Sequence, residues 1–480
     1  MTALAGVHID EALDHLELLG SVVRSASWTP WRAFLKAVYG RPLTGEELEV
    51  YQACTARQAS PLAPVSMVSM VCGRRSGKSA AAAALAVFEA CFRDWSPLLG
   101  PGEQAVVMTL AATREQAQVI QNYVRGILKA SPLLSAMIER ETETILELSN
   151  RVTIITQPTN FRSVRGRSVA VALLDESAFW SDSDTGSNPD KEVLTAVRAS
   201  QAQFGAHAKL IMLSSPYRRS GILFEHWNKW HSKDDPRHLS WMAPTQRMNP
   251  TVPQDFIDDA FEEDAVAAAS EFGSLSEGIA WRSDISSFIS REAVEALVAP
   301  GRFELPPRPG VHYCAFVDAA GGSGSDSMTL CVAHSRNEVA VIDCLREARP
   351  PFSPQAIVDE FCATLRSYGV KRVTGDRWGS EFVQERFKNL GIHYEVSERT
   401  KADLYRELLP ILNAGRAELL EHKRAVTQIA ALERRTARGG RDSIDHPRGG
   451  HDDLANCIAG ACVEAIVQRG GRMIVTPLRI

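Results

Sequence analysis

A glycine-containing turn between an apolar run and an alanine-rich stretch constrains the fold more than any other feature of this chain. Residues 72–79 read Cys-Gly-Arg-Arg-Ser-Gly-Lys-Ser. A strand candidate over residues 65–72 precedes the turn, and a helix candidate over residues 78–93 follows it. The turn is close to the phosphate-loop pattern G-x-x-x-x-G-K-[ST], with Cys72 where the first glycine usually stands. The segment therefore predicts an α/β domain that binds nucleotide phosphates at a helix N-terminus.

The groups within this turn match the chemistry of a bound nucleotide and its magnesium ion. Lys78 can reach the outer phosphates, and the Ser79 hydroxyl can bind magnesium. One of the two arginines, Arg74 or Arg75, can reach the transferred phosphoryl group in cis as an arginine finger, while the other is solvated. The residues expected to contact the nucleotide are Gly73, Arg75, Ser76, Gly77, Lys78 and Ser79.

A second apolar strand candidate ends in two adjacent acids, Asp175 and Glu176. Asp175 can hold the water shell of the metal, and Glu176 can polarise an attacking water. A buried strand before a solvated acidic turn would look the same, but the upstream phosphate loop favours ATP hydrolysis over transfer to a small acceptor. A third strand candidate, Lys209–Ser214, places the hydroxyls of Ser214 and Ser215 where they can sense loss of the γ-phosphate. A plain serine turn explains that segment equally well.

Composition places the chain among ordinary globular proteins and sets the expected number of domains. At 480 residues, with 45% hydrophobic and 23% charged residues, two domains are expected. We predict a first domain at residues 1–297, a proline- and glycine-rich linker at 298–310, a second domain at 311–467 and a tail at 468–480. The net charge of -5 does not by itself indicate a nucleic-acid-binding protein. Any site for a polyanion must therefore be a local cluster of basic residues.

The sequence carries no signal for a membrane span or for a disulfide framework. No apolar run reaches the roughly 18 residues that a span needs, and the acidic start does not resemble a signal peptide. The nine cysteines are scattered without a C-x-x-C pair, so we expect small buried hydrophobes rather than zinc ligands. A cytoplasmic protein is predicted.

Acidic residues in the second domain suggest a second chemistry. Asp318 and Asp376 follow strand candidates, while Asp452 and Asp453 open an apolar helix directly after His451. Two metal ions that act on a phosphodiester need hard oxygen ligands and at least one bridging carboxylate. Single acids are also common at strand ends, and Asp452 can be a helix N-cap. The spacing alone therefore leaves a nuclease and a non-cutting domain both open.

Taken in order, the motifs resemble the large terminase subunit of tailed bacteriophages over roughly residues 30–465. The segments that carry the resemblance are G-R-R-S-G-K-S, L-L-D-E-S-A, S-S-P-Y-R-R-S-G, M-N-P, D-A-A-G-G-S-G-S-D-S, G-G-R-D-S-I-D-H-P and H-D-D-L-A-N. The resemblance implies an α/β chain with an N-terminal P-loop ATPase domain of the ASCE type and a C-terminal ribonuclease-H-like nuclease domain. It also implies ATP-driven packaging of double-stranded DNA into the prohead and endonucleolytic cutting of the concatemeric genome.

The same resemblance implies cofactors and partners. The cofactors are ATP and Mg²⁺, with Mn²⁺ able to substitute in the nuclease site. The partners are double-stranded DNA, the portal protein and the small terminase subunit, without a membrane. The subunits would form a homo-oligomeric ring, a pentamer, at the portal vertex of the prohead in the host cytoplasm.

Carried over residue by residue, the resemblance assigns roles within both domains. Arg74 falls on the arginine within the phosphate loop, Glu176 activates water, and Ser214 and Ser215 match the motif that couples hydrolysis to movement. The implied metal ligands are Ser79 and Asp175 in the ATPase, and Asp318, Asp376 and the pair Asp452 and Asp453 in the nuclease. Asp453 is favoured within that pair, and Asp326 is a further candidate.

DNA contact is expected at arginines that cluster just before the acidic pair. These residues are Arg434, Arg435, Arg438, Arg441 and Arg448. Beside a metal site they would hold the phosphate backbone without reading its sequence, whereas a solvated surface is the alternative explanation. A second group, Arg162, Arg165 and Arg167, either touches DNA or acts on the ATP of a neighbouring subunit.

Two other functions fit the same sequence. One is an ASCE-type helicase or DNA remodeller whose ribonuclease-H-like domain binds but does not cut. The other is a scaffold that docks on a portal and uses ATP only to assemble. The acids of the second domain discriminate between these functions, since only a nuclease needs them to cut DNA with a metal ion.

Overall fold

The computed structural model describes residues 4–23, 25–159, 164–182, 189–376, 381–436, 442–447 and 450–470. The chain forms two compact units, and the division falls between Ser283 and Asp284. It lies upstream of the predicted linker, whose residues belong to the second unit. Val298 pairs with Leu419 in a β-bridge, and the Leu305 N–H donates to the Asp343 carbonyl at 2.8 Å. Proline and glycine at 298–310 therefore shape an attached segment rather than a free linker.

The first unit is built on an eight-stranded sheet in the order β3-β4-β5-β2-β6-β7-β1-β8. The strands are β1 (Met67–Cys72), β2 (Ala105–Ala111), β3 (Ile138–Glu141), β4 (Ile145–Leu148), β5 (Val152–Pro158), β6 (Val169–Asp175), β7 (Lys209–Ser214) and β8 (His238–Ala243). Neighbouring strands are parallel in the part of the sheet ordered β5-β2-β6-β7-β1-β8. The pairs β3-β4 and β4-β5 are antiparallel. Because β7 lies between β1 and β6, the ends of all three strands meet at one edge of the sheet.

Helices cover this sheet, as the alternation of apolar strands and helical stretches predicts. The α-helices of the first unit are Ile9–Asp14, Ser21–Val23, Thr29–Val38, Gly45–Thr55, Lys78–Cys91, Arg114–Ala130, Pro132–Ser135, Pro189–Ser200, Ile222–Trp230, Thr245–Met248 and Gln254–Glu271, with shorter helical turns at Leu16–Gly20, Ala26–Trp28, Ser96–Leu98, Ser177–Asp182 and Ala202–His207. The helix Lys78–Cys91 is buried almost all round, which its run of alanines permits. The helix Arg114–Ala130 begins with a capping box between Thr113 and Gln116.

The second unit contains a six-stranded mixed sheet in the order β14-β13-β10-β11-β12-β15 and a smaller sheet in the order β17-β16-β9. The strands are β9 (Ile285–Ser287), β10 (Tyr313–Asp318), β11 (Met328–Arg336), β12 (Val339–Ala348), β13 (Arg372–Gly375), β14 (His393–Val396), β15 (Ala417–Glu418), β16 (Glu433–Thr436) and β17 (Asp442–Asp445). The helices are Arg291–Glu295, Pro354–Ser367, Glu381–Asn389, Lys401–Asn413, Lys423–Ala431 and Asp453–Gly470. The last helix continues into the predicted tail, and residues 471–480 lie outside the described part of the chain.

The central strand β10 shows why this sheet is covered on both faces. Cys314 and Phe316 point into one hydrophobic core, whereas Ala315 and Val317 point into a second core on the opposite face. Antiparallel pairing of β10, β11 and β12 beside the parallel strand β13 gives a mixed sheet. The predicted α/β class is confirmed, with a phosphate-loop unit followed by a second unit built on a mixed sheet.

Two expectations from composition can also be compared with the structure. All nine cysteines are free and buried, as predicted. Within the residues that the structure describes, no helix combines the length and the apolar character needed to cross a bilayer.

Packing of the helix Asp453–Gly470 against β10 depends on a glycine. A Cβ atom at Gly460 would lie 2.2 Å from the ring of Phe316, which is fully buried. We expect Gly460→Ala to destabilise the second unit by about 1–3 kcal/mol, because the ring must move out of a packed core. Calorimetric thermal unfolding measures the change.

The matched control is Gly126→Ala within the helix Arg114–Ala130, where a Cβ atom would meet nothing within 4 Å. This change should be neutral or stabilise the protein by about 0.5–1 kcal/mol through helix propensity. Equal effects of the two substitutions would contradict the packing described here.

Candidate nucleotide site and metal centre

The phosphate loop connects the end of β1 to the helix Lys78–Cys91. Gly77 has a φ of +96°, in the region that favours glycine. Gly73 is required for a different reason, since a Cβ atom there would lie 2.2 Å from the Thr245 hydroxyl. Lys78 is only 6% exposed, and its ammonium donates to the carbonyls of Cys72 at 2.9 Å and Gly73 at 3.1 Å. The loop is thus closed and compact, with Ser79 half-buried in the first helical turn.

The acidic pair lies at the end of β6. Asp175 is 4% exposed, and burial together with the charge of Glu176 raises its pKa to about 7, while Lys78 acts in the opposite direction. One carboxylate oxygen of Asp175, Oδ1, is buried and accepts no hydrogen bond from the residues that the structure describes. A buried acceptor beside a phosphate loop fits a magnesium ion or its water shell, which would satisfy the oxygen and favour ionisation.

The end of β7 contacts the second acid directly. The Ser214 hydroxyl donates to Glu176 Oε2 at 2.6 Å, and both Ser214 and Ser215 are buried. Glu176 has a φ of +49°, a conformation that a side chain with a Cβ atom rarely adopts. The predicted coupling serine is therefore joined to the predicted catalytic glutamate by one hydrogen bond.

The loop arginines differ in their contacts. Arg74 is paired with Glu271 at 3.0 Å, although more than half of its side chain is exposed. Arg75 is exposed and has a φ of +64°. The contact with Glu271 was not predicted from sequence, because the two residues lie far apart along the chain.

The second candidate site lies where β10, β13 and the last helix meet. Asp318 ends β10, Asp376 follows β13, and the Asp376 N–H donates to the Val317 carbonyl at 3.3 Å. Burial and the charges of Asp453, Asp376 and Asp452 raise the pKa of Asp318 well above its ordinary value, against a hydrogen bond from Asn456. Mutual repulsion of this kind arises when carboxylates converge without a cation.

The structure separates the two acids that open the last helix. Asp452 is bound by the Lys401 ammonium at 2.8 Å and by the Tyr405 hydroxyl at 2.7 Å. Asp453 accepts the Ser327 N–H at 3.0 Å, and burial and the charges of Asp452 and Asp326 raise its pKa. Asp452 thus has a lysine ammonium as its partner, whereas the hydrogen bond to Asp453 comes from a neutral backbone N–H. This difference favours Asp453 as the metal ligand.

A tighter group of ligand atoms lies next to this centre. One atom each from Asp445, His446 and Asp452 lies within 4.8 Å of the others, and no other such group of three occurs among the described residues. Asp318, Asp376 and Asp453 therefore do not meet that spacing. In the tighter group, Lys401 Nζ lies 2.8 Å from Asp445 and 2.8 Å from Asp452, so an ammonium group already neutralises these acids.

The predicted DNA-binding arginines are placed only in part. Arg434 and Arg435 lie on β16, where Arg434 is exposed and Arg435 contacts Glu433 at 3.2 Å. Arg438, Arg441, Arg448 and Arg162 lie outside the described residues. His451 lies 3.4 Å from the exposed Asp326, the further candidate ligand.

Comparison with known proteins gives one family match. Residues 70–235 match the profile described as "Terminase large subunit, T4likevirus-type, N-terminal". No curated protein matches the chain.

Similar solved structures include three phage proteins. The large terminase of bacteriophage HK97 is 16% identical, with coverage of 91% of this chain and 94% of that one and a TM-score of 0.38. The large terminase of a thermophilic bacteriophage in complex with ADP is 12% identical, with coverage of 91% and 98% and a TM-score of 0.37. The large terminase nuclease of the thermophilic phage G20c with bound magnesium is 20% identical, with coverage of 36% and 95% and a TM-score of 0.31.

The raised pKa of Asp318 has a consequence for stability without metal. Ionisation of this carboxyl costs free energy in the folded state, so stability is full below the unfolded pKa of about 4 and falls as pH rises through the higher folded pKa. Asp318→Asn removes that cost and keeps an acceptor for Asn456. We expect the metal-free variant to gain thermal stability over the wild type, with a gap that widens from pH 5 to pH 8.

The measurement is the unfolding midpoint in excess chelator at both pH values. Glu292→Gln, an exposed acid of the second unit, is the control and should show little difference at either pH. If the difference in unfolding midpoint between Asp318→Asn and the wild type stayed the same at both pH values, the raised pKa of Asp318 would be contradicted.

Proposed function

We propose that this chain, whose residues 70–235 match the N-terminal family model of terminase large subunits, is itself a large terminase subunit: it hydrolyses ATP to drive double-stranded DNA into the prohead and cuts the concatemeric genome with a metal-dependent nuclease. One observation supports this proposal above the others. A phosphate loop lies in one unit with the buried Asp175 and its neighbour Glu176, and in the other unit carboxylates at two strand ends and one helix start repel one another.

In the first unit, each side chain has a task that its position supports. Lys78 and the N–H groups at the helix start would bind the phosphates, with Gly73, Arg75, Ser76 and Gly77 forming the turn. Ser79 and Asp175 would hold Mg²⁺, which neutralises phosphate charge when bound. Glu176 would accept a hydrogen bond from the attacking water and orient it. Arg74 would have to exchange its contact with Glu271 for the phosphoryl group.

The hydrogen bond between Ser214 and Glu176 gives the coupling role a physical basis. Glu176 accepts the Ser214 hydroxyl at Oε2 and has its second oxygen for an attacking water, so one carboxylate would contact both groups. A change in the orientation of Glu176 when the water is consumed would then act directly on Ser214 at the end of β7, and on Ser215 next to it. We therefore assign Ser214 and Ser215 to the relay between hydrolysis and movement.

In the second unit, Asp318, Asp376 and Asp453 would hold the divalent ions, with Mg²⁺ preferred and Mn²⁺ as a substitute because all the ligands are oxygens. Bound ions supply charge stabilisation for the displacement at phosphorus. Asp452 would act indirectly, since Lys401 and Tyr405 bind its carboxylate. Arg434 and Arg435 would hold the DNA backbone, with Arg438 and Arg441 in the same role.

The remaining partners follow from the proposed role. The protein would act in the host cytoplasm, as a pentameric ring at the portal vertex while DNA is packaged. The portal protein would hold this ring, and the small terminase subunit would deliver the genome.

A reciprocal pair of variants tests the two activities. Glu176→Gln should lower ATP turnover by about 10²-fold or more, because the water loses its oriented base, and should leave metal-dependent plasmid nicking largely intact. Asp376→Ala should have the opposite effect, since it removes a metal ligand of the second unit only. Steady-state ATP hydrolysis and plasmid nicking with Mg²⁺ are measured on the same preparations.

Glu360→Gln, an exposed acid on the helix Pro354–Ser367, serves as the control and should keep both activities. Folded Asp376→Ala protein that nicks DNA at the wild-type rate would refute the nuclease assignment. Wild-type protein that hydrolyses ATP but never nicks DNA would favour a helicase or remodeller.

A further inference from the structure

The carbonyl groups of residues 72–76, in the phosphate loop, each receive a hydrogen bond from a side chain. Lys78 binds the carbonyls of Cys72 and Gly73. Three further donors lie outside the predicted nucleotide motif. The Thr245 hydroxyl donates to the Arg74 carbonyl at 2.8 Å, Asn249 Nδ2 donates to the Arg75 carbonyl at 2.9 Å, and Trp31 Nε1 donates to the Ser76 carbonyl at 2.8 Å.

These contacts determine where the neighbouring N–H groups point. In a planar trans peptide, the C=O of one residue and the N–H of the next lie on opposite sides. Donors outside the loop that hold the carbonyls of Arg74 and Ser76 therefore turn the N–H groups of Arg75 and Gly77 to the opposite side. Neither N–H donates to a backbone carbonyl in the part of the chain that the structure describes, so both remain available to a phosphate.

Asn249 binds the carbonyl of Arg75, whose backbone conformation is the least favourable one among the loop residues that are not glycine. Arg75 has a φ of +64°, which a side chain with a Cβ atom adopts at a cost, so the conformation needs support from outside. Asn249 is itself oriented, because its Oδ1 accepts the Thr251 hydroxyl at 2.7 Å and the Thr251 N–H at 3.2 Å. Its amide is thus aimed at the Arg75 carbonyl before any ligand binds.

The segment that carries these donors is anchored independently. Thr245 is fully buried, and its N–H donates to the Phe272 carbonyl at 2.8 Å. The Gly73 N–H donates to the Ala243 carbonyl at 3.2 Å, just before this segment, and the Arg74 N–H donates to the carbonyl of Glu271, at the end of the following helix, so main chain on both sides of the segment also contacts the loop. The Met-Asn-Pro motif at residues 248–250, unexplained by the phosphate chemistry alone, supplies the Asn249 amide.

We propose that Trp31, Thr245 and Asn249 are positioning residues for the nucleotide: they fix the carbonyls of the phosphate loop outward and thereby preorganise its N–H groups for the phosphates. This inference rests on the proposed ATPase function and extends it to residues outside the phosphate-loop motif. None of the three side chains needs to touch the nucleotide. Their effect is to spare the nucleotide the cost of ordering the loop.

The test is Asn249→Ala in the full-length protein, with affinity for a slowly hydrolysed ATP analogue and Mg²⁺ measured by calorimetric titration. We expect affinity to fall roughly 2- to 10-fold, the effect of one lost hydrogen bond. DNA nicking should be unchanged. Gln246→Ala is the matched control, because Gln246 donates from the same segment to the Val252 carbonyl at 3.1 Å, outside the phosphate loop.

The same Asn249→Ala change in an Arg75→Gly protein tells whether Asn249 positions the phosphate loop or only stabilises the fold. Glycine adopts a positive φ without penalty, so Arg75→Gly should make the loop less dependent on Asn249. In the Arg75→Gly background, Asn249→Ala should lower affinity less than twofold. An unchanged affinity of Asn249→Ala in the wild-type background, or an undiminished loss in the Arg75→Gly background, would overturn the inference. Wild-type protein that binds no nucleotide would overturn the proposed ATPase function as well.

Discussion

Burial of carboxylates at the ends of strands is the constraint on which both candidate sites depend. Asp175 and Asp318 each end a strand, and in each case burial raises the pKa because an ionised oxygen is removed from water. Such positions are costly unless a cation or a set of donors compensates the charge. The fold supplies only part of that compensation, through Lys78 near Asp175 and through Asn456 at Asp318. The remaining charge is what makes these positions suited to divalent ions.

The contrast between Asp452 and Asp453 shows how neighbouring acids acquire different roles. Lys401 and Tyr405 lie one helical turn apart, so both reach the same carboxylate of Asp452. Asp453, the next residue, instead accepts the Ser327 N–H, and its mutual repulsion with Asp318 is one of the causes that raise the pKa of Asp318. The tight group of Asp445, His446 and Asp452 resembles a metal site by distance alone, but the ammonium of Lys401 already lies between two of its acids.

The sequence was informative where local pattern determines structure. The phosphate loop and the strands that end in Asp175, Ser214 and Asp318 could be predicted, because apolar periodicity and turn residues act within a few positions. Contacts between distant segments could not. Glu271, Thr245, Asn249 and Lys401 reach their sites through the fold, and the short strands β3, β4 and β8 carry weaker patterns. Proline and glycine at 298–310 predicted a linker, and in the structure this segment belongs to the second compact unit, because irregular backbone can still make contacts.

The central claim is that Asp318, Asp376 and Asp453 form a centre for two divalent ions. Anomalous diffraction from crystals of the full-length protein soaked in Mn²⁺ tests this claim most directly. The account predicts two manganese peaks about 4 Å apart, with Asp318 as a ligand and with Lys401 still between Asp445 and Asp452. A single peak among Asp445, His446 and Asp452, with Lys401 displaced and no manganese at Asp318, would contradict it.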